Sequence, residues 1–195
     1  QGGAMPSVLA GHSLGEYTAL VAAGMLTYES ALPLVRFRAE VMQRAVAEGV
    51  GAMAAVLGLD DDAVRAACAE AAQGEVLEAV NLNSPGQVVI AGHKAAVERG
   101  IEAAKAKGAK RALLLPVSVP SHCALMKPAA DELAGYLKDV SFAAGQAPVL
   151  HNADVAAYDD AAKVKDALVR QLYSPVRWVE AVQAVHASGV TASAE

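Results

Sequence analysis

A chain of 195 residues with a formal net charge of −5 can form one large domain or two small ones, and its acidic balance argues against non-specific nucleic-acid binding. Hydrophobic residues make up 54% and aromatics only 4%, the composition of a globular, helix-rich protein rather than a disordered one. No run approaches the roughly 18 apolar residues that span a bilayer, and no signal-peptide pattern opens the chain, so a cytoplasmic protein without membrane contact is expected.

The first informative stretch is Val8-Leu9-Ala10-Gly11-His12-Ser13-Leu14-Gly15-Glu16-Tyr17, a short apolar run that turns into a helical pattern. A G-x-S-x-G turn between strand and helix holds the serine on a strained corner, which makes Ser13 a candidate nucleophile and leaves the Leu14 backbone N–H free for an oxyanion. Side chains at Gly11 and Gly15 are both expected to collide where strand and helix cross. The helix is expected to stop near Gly24, and Thr27 then caps a second one running toward Glu48, delayed or kinked by Pro33. Leu32, Val35, Ala39, Met42 and Val46 form its expected buried stripe, with Arg36 and Arg38 on opposite flanks. Arg36 has Glu40 four residues on as an ion-pair partner. Arg38 has only apolar helical neighbours, so it either snorkels to water or binds another anion.

From Gly49 the pattern changes. Gly51 to Leu59 reads as a strand, Asp60 to Ala72 as a helix, and Val76 to Asn83 as a strand. Ser84-Pro85-Gly86 reads as a turn and Gln87 to Ala91 as a hairpin partner. Lys94 to Lys107 follows as a helix with Val97, Ile101 and Ala104 on one face, stopped by Gly108, and Arg111 to Val119 as a fourth strand. This β-α-β-β-α-β order over about 70 residues is the ferredoxin-like pattern. Residues 48–118 are therefore expected to be a small subdomain inserted between two pieces, 1–47 and 119–195, of an α/β-hydrolase-like parallel-sheet core.

Pro120-Ser121-His122-Cys123 interrupts the chain where the fourth strand is expected to end, before a helix from Met126 to Val140. A histidine on a loop at a strand end is a base candidate, or one simply bonded to backbone, and His122 stands ahead of His12, His93, His151 and His186. Side chains of neighbours on an extended segment point apart, which disfavours a Cys123–His122 dyad. Cys68 and Cys123 form no C-x-x-C pair and are expected as free thiols, with no metal site. Asp159-Asp160-Ala161 starts a helix through Leu172, Tyr173-Ser174-Pro175 breaks it, and Val176 begins another to about Ala187 before a final strand-like start at Gly189. Asp154, Asp159 and Asp160 are candidates for an acid behind His122, but none sits in a distinctive motif.

Four segments in order, Gly11-His12-Ser13-Leu14-Gly15-Glu16-Tyr17, the run from Asn81 to Gly92, Pro120-Ser121-His122-Cys123 and the run from Arg170 to Val176, together resemble the malonyl-CoA:acyl carrier protein transacylases of bacterial fatty acid synthesis. Polyketide-synthase acyltransferase domains share the plan, and a serine esterase or thioesterase is the alternative from the hydrolase class. The resemblance implies that Ser13 carries the malonyl group, His122 is the base, Arg38 binds the malonyl carboxylate, and the backbone carbonyl of Gln171 orients His122 in place of an acid. It implies acyl carrier protein as partner and malonyl-CoA as substrate, with no permanent cofactor. It also implies Lys110 and Arg111 as contacts for CoA or carrier phosphates, while Lys105 and Lys107 read as solvated helix charges. The family's glutamine-containing loop upstream of the serine has no counterpart here, since Gln1-Gly2-Gly3 lies too close, and the glycine-rich segment beyond Val190 is missing. The resemblance thus implies a fragment lacking N- and C-terminal parts, poorly active alone, because losing one oxyanion donor costs about 100- to 1000-fold in rate.

Overall fold

The computed structural model describes residues 6–117 and 119–194. Gln1-Gly2-Gly3, Ser118 in the expected fourth strand and the terminal Glu195 lie outside them. The chain begins with β1 (Leu9–Ala10), α1 (Leu14–Ala22) and α2 (Tyr28–Arg44). It continues through β2 (Gly51–Leu57), α3 (Asp61–Ala72), β3 (Leu77–Ser84), β4 (Gln87–His93), α4 (Lys94–Ala106) and β5 (Arg111–Leu114). A 3₁₀ turn at Ala124–Met126 leads into α5 (Lys127–Leu137), followed by β6 (Val149–Leu150), α6 (Ala161–Gln171) and α7 (Trp178–Ala187).

The four strands β2 to β5 make an antiparallel sheet in the order β3-β4-β2-β5. Alternation along β2 sends Ala52, Ala54 and Val56 into one core with Val64 and Cys68 of α3 and Val97 and Ile101 of α4, while Met53 turns to the opposite face with Val80, Val89, Ala91 and Cys123. A bulge between Ala79 and Asn81 interrupts the alternation of β3. Ala79 and Leu82 therefore both face the helices, and Asn81 and Asn83 are turned toward the rest of the chain. A second core joins α1, α2, α5 and α6 through Leu20, Leu34, Met126, Leu133, Leu168 and Leu172. Beside it β1 and β6 pair in parallel, Leu9 with Val149 and Ala10 with Leu150, closing the strand that carries Ser13 against the segment that carries Asn152.

The caps fall where side-chain chemistry puts them. Thr27 accepts from Ser30 N–H at 3.2 Å, Asp60 from Ala63 N–H at 2.8 Å and Asp160 from Lys163 N–H at 2.9 Å, each satisfying an orphan donor of a first turn. Four expectations are corrected. The buried stripe of α2 is Ala31, Leu34, Arg38, Val41 and Met42, with Leu32 49% exposed, so Arg38 lies in the stripe and not on its flank. β5 ends at Leu114: one further ladder bond runs from Leu115 N–H to Met53 O at 2.9 Å, Val117 N–H then turns back to Leu115 O at 2.8 Å, and His122 sits on the loop beyond rather than at a strand end. Val176 does not open the last helix; it bonds to β3 through Val80 O at 2.8 Å and Leu82 N at 3.0 Å, and α7 begins at Trp178. No strand forms over residues 190–194.

Candidate active site

Ser13 sits between β1 and α1 with φ 54° and ψ −105°, a strained conformation for a residue with a Cβ. Gly11 makes that corner possible: a Cβ there would lie 2.0 Å from the Gly15 carbonyl oxygen. The same argument fails for Gly15, where an added Cβ meets no atom within 4 Å among the described residues, so the expected collision occurs at one glycine only. Asn152, just after β6, bridges the corner by accepting from Ser13 N–H at 2.7 Å and donating to Gly11 O at 2.8 Å. Leu14 opens α1, so its N–H has no intrahelical acceptor and points out of the helix N-terminus beside the serine.

Three elements converge on the Ser13 hydroxyl. Its Oγ lies 2.8 Å from His122 Nε2 and accepts from Arg38 Nη2 at 3.0 Å. The other ring nitrogen of His122, Nδ1, lies 2.7 Å from the main-chain oxygen of Gln171. That oxygen is free because Gln171 ends α6, where carbonyls lack intrahelical donors, and the next carbonyl, Leu172 O, accepts from His122 N–H at 3.0 Å. These two bonds hold His122 at φ 67°. With Nδ1 donating to a carbonyl, Nε2 presents its lone pair to the serine, the tautomer a general base needs. Burial pushes the His122 imidazole down to about 4, against the Gln171 carbonyl, which raises it, and with Arg38 and His12 lowering it further. The imidazole is thus neutral near pH 7, the form that can take a proton.

Arg38 is 6% exposed. Its partners are Ser13 Oγ, Gln171 Oε1 at 3.0 Å and the Tyr17 ring at 5.6 Å, and among the described residues no carboxylate pairs with it directly. A buried guanidinium with spare donors beside a serine hydroxyl can take an anion, since its planar fork matches a carboxylate bidentately. His12 is bonded to Asn83 Oδ1 at 2.8 Å and lies edge-on to Trp178.

The sequence profile described as an acyl transferase domain matches residues 1–195. The chain belongs to that family. Over 190 residues it is 60% identical to the malonyl CoA-acyl carrier protein transacylase of Salmonella typhimurium and 59% identical to that of Escherichia coli, covering 97% of this chain and 62% of each relative. The acyl carrier protein S-malonyltransferase of Vibrio cholerae superposes with a TM-score of 0.95 at 62% identity, over 96% of this chain and 61% of that one. A malonyl-transacylase solved in complex with its type II PKS acyl-carrier protein superposes with a TM-score of 0.96 at 57% identity, over 97% and 61%.

Against this acyl transferase frame, the structure brings together Ser13, Leu14, Arg38, His122 and Gln171. It does not bring Lys110 and Arg111 to the serine. Arg111 lies in one row of the sheet with Leu57, Gln87 and Ser84, so three strand spacings, about 14 Å, separate it from the end of β3 next to Asn83. Lys105 and Lys107 pair with Glu102 at 2.8 Å and Glu70 at 2.9 Å on exposed helices. Two of the three acid candidates serve elsewhere: Asp154 accepts from Tyr158 and Arg170, and Asp160 caps α6. Among the described residues no cluster of histidine, cysteine or carboxylate side chains could hold a metal, and no helix is long and apolar enough to cross a membrane.

Sequence reasoning gave no role to Glu16, Asn152 or the Gln171 side chain, all buried within hydrogen-bond reach of the elbow. For Glu16 a signal existed: it shares a helical face with Leu20 and Ala23, and a carboxylate in an apolar stripe has to be paired.

Proposed function

We propose that the protein transfers a malonyl group from malonyl-CoA to the phosphopantetheine thiol of an acyl carrier protein through a malonyl-Ser13 intermediate. Ser13 Oγ attacks the thioester carbonyl as its proton passes to His122 Nε2, and the tetrahedral oxyanion is held by the Leu14 N–H. The C–S bond then breaks and His122 returns the proton to the departing CoA sulfur. In the second half the carrier thiol gives its proton to His122 and attacks the ester carbonyl, and as the C–O bond breaks His122 returns that proton to Ser13 Oγ. Gln171 keeps the imidazole in the required tautomer through its main-chain oxygen. Arg38 binds the distal malonyl carboxylate.

The observation that carries this reading is the buried Arg38 guanidinium 3.0 Å from Ser13 Oγ with no carboxylate of the described residues on it. A hydrolase acting on neutral acyl groups has no use for that charge. Membership of the acyl transferase family and the names of the relatives at 59–60% identity point the same way. The chain spans about 62% of those relatives' length, so the activity belongs to the full-length protein. We further propose an α/β-hydrolase-like core, 1–47 and 119–195, with residues 48–118 as an inserted ferredoxin-like subdomain. The strand order β3-β4-β2-β5, with α3 and α4 on one face, supports it. Lys110 and Arg111, exposed at the end of that sheet, are proposed contacts for CoA or carrier phosphates, and the compartment proposed is the cytoplasm, where no permanent cofactor is needed. Full-length protein given malonyl-CoA and holo carrier protein should yield malonyl-carrier and free CoA. Steady release of malonate at the same rate without carrier would support a thioesterase instead.

A further inference from the structure

Glu16 is fully buried under the elbow and plays no part in the transfer steps above. Its Oε2 accepts from Asn152 N–H at 2.9 Å and from Gln171 Nε2 at 2.9 Å, and its Oε1 lies 2.6 Å from His151 Nδ1. His151 is equally buried, and its Nε2 has no partner. The arrangement that strands no buried N–H therefore puts the proton on Nδ1, donating to Glu16. Three N–H donors thus converge on one residue, and only a carboxylate can accept from all of them.

The Gln171 amide is the link from this hub to the site. On its nitrogen side stand Glu16 Oε2 and the Ser13 main-chain oxygen at 3.0 Å, both acceptors only. On its oxygen side stands Arg38 Nη2 at 3.0 Å, a donor only. We propose that Glu16 is a positioning residue for acyl-group selection: by taking the Gln171 Nε2 it fixes the amide with its oxygen toward Arg38, which holds the guanidinium over Ser13. With glutamine at 16 one of the three donors faces an N–H₂. Turning the Gln171 amide to meet it would set a second N–H₂ against the guanidinium and release Arg38 from the serine.

The direction of the effect separates this from simple charge. Removing a negative charge behind Arg38 would, by Coulomb's law alone, strengthen its hold on a malonyl carboxylate. Positioning predicts the reverse. The inference rests on the malonyl-transfer reading, so the experiment first measures the full-length wild type with malonyl-CoA and acetyl-CoA; loss of malonyl preference there would defeat that reading and not this one. Glu16→Gln should raise KM for malonyl-CoA and lower the malonyl-to-acetyl ratio of kcat/KM by roughly 10-fold, the scale of one hydrogen bond to a charged group. Gln171→Ala, which keeps the main-chain oxygen for His122, should lower the ratio similarly, and adding Glu16→Gln to it should change the ratio no further. A ratio in Glu16→Gln that is unchanged or higher, or effects of the two changes that multiply, overturns the proposal. If Glu16→Gln folds poorly, as judged by its thermal transition, Gln171→Ala alone decides, and a malonyl-to-acetyl ratio there unchanged from wild type overturns the proposal.

Discussion

His122 Nδ1 lies 2.7 Å from the main-chain oxygen of Gln171, the last residue of α6. A helix C-terminus thus takes the place that a carboxylate occupies in a serine triad. Its carbonyls are unpaired by construction and carry the negative end of the helix dipole, so they fix the imidazole and favour the charge it acquires during reaction. The orienting group is main chain, so replacing the Gln171 side chain cannot remove it.

The pH dependence follows from the burial of that imidazole. An ordinary histidine is half protonated near pH 6.5, whereas His122 is pushed down to about 4 and is neutral above that value, the form the proposed base role requires. The rate of Ser13 acylation should stay flat as pH falls from 7 through 6.5 and drop only near pH 4 to 5. Between about 4 and 6.5 the unfolded chain binds a proton at this residue that the folded chain does not, so stability also declines as pH falls through the window. Stopped-flow acylation across pH 4–8 checks the first; a half-point at 6.5 would contradict it.

Arg38→Ala should cut kcat/KM for malonyl-CoA by roughly 10- to 100-fold, the range for a lost charge-assisted bidentate contact, and leave acetyl-CoA relatively favoured. Arg38→Lys should restore little, because a compact ammonium lacks the planar fork that takes a carboxylate bidentately. Competition between the two thioesters measures the shift, and an unchanged selectivity removes the role.

The two glycines of the elbow should separate. Gly11→Ala drives a Cβ to within 2.0 Å of the Gly15 carbonyl and should destabilise the protein by at least about 1–3 kcal/mol, with loss of activity as Ser13 shifts. Gly15→Ala meets open space and gains helix propensity, so it should unfold at or slightly above the wild-type midpoint, by up to about 1 kcal/mol. Denaturant titration of both variants decides it.

Cys123 adjoins His122 in sequence but donates to Pro120 O at 3.1 Å, and burial pushes both its thiol and that of Cys68 up to about 12. Neither should react with a thiol reagent in the folded protein at pH 7, and both should react in denaturant. Rapid native labelling of Cys123 with loss of activity would reopen a thiol mechanism.

Much of this was legible in the sequence because it depends on local chemistry. Thr27 was readable as a cap, Asp60 and Asp160 as helix openings, Ser84-Pro85-Gly86 as a hairpin turn, and Gly11-x-Ser13 as an elbow. The buried face of α2 was not, since apolar residues lie on more than one side of it and hydropathy counted Arg38 out of the stripe in which it is buried. The end of β5 turned on a main-chain reversal, Val117 N–H to Leu115 O, that no residue pattern marks. Gln171 as an orienting group leaves no residue-level signature, because any residue there has a carbonyl, and it came only from resemblance. Glu16 and Asn152 act across 136 and 139 residues of sequence, a separation no local pattern encodes.

The central claim is that Ser13 carries the acyl group. Full-length protein mixed with malonyl-CoA, quenched in acid and digested should give a Ser13 peptide heavier by one malonyl group, absent from Ser13→Ala and discharged on adding holo carrier protein. An unmodified Ser13 peptide, or a malonyl group found on another residue, would contradict it.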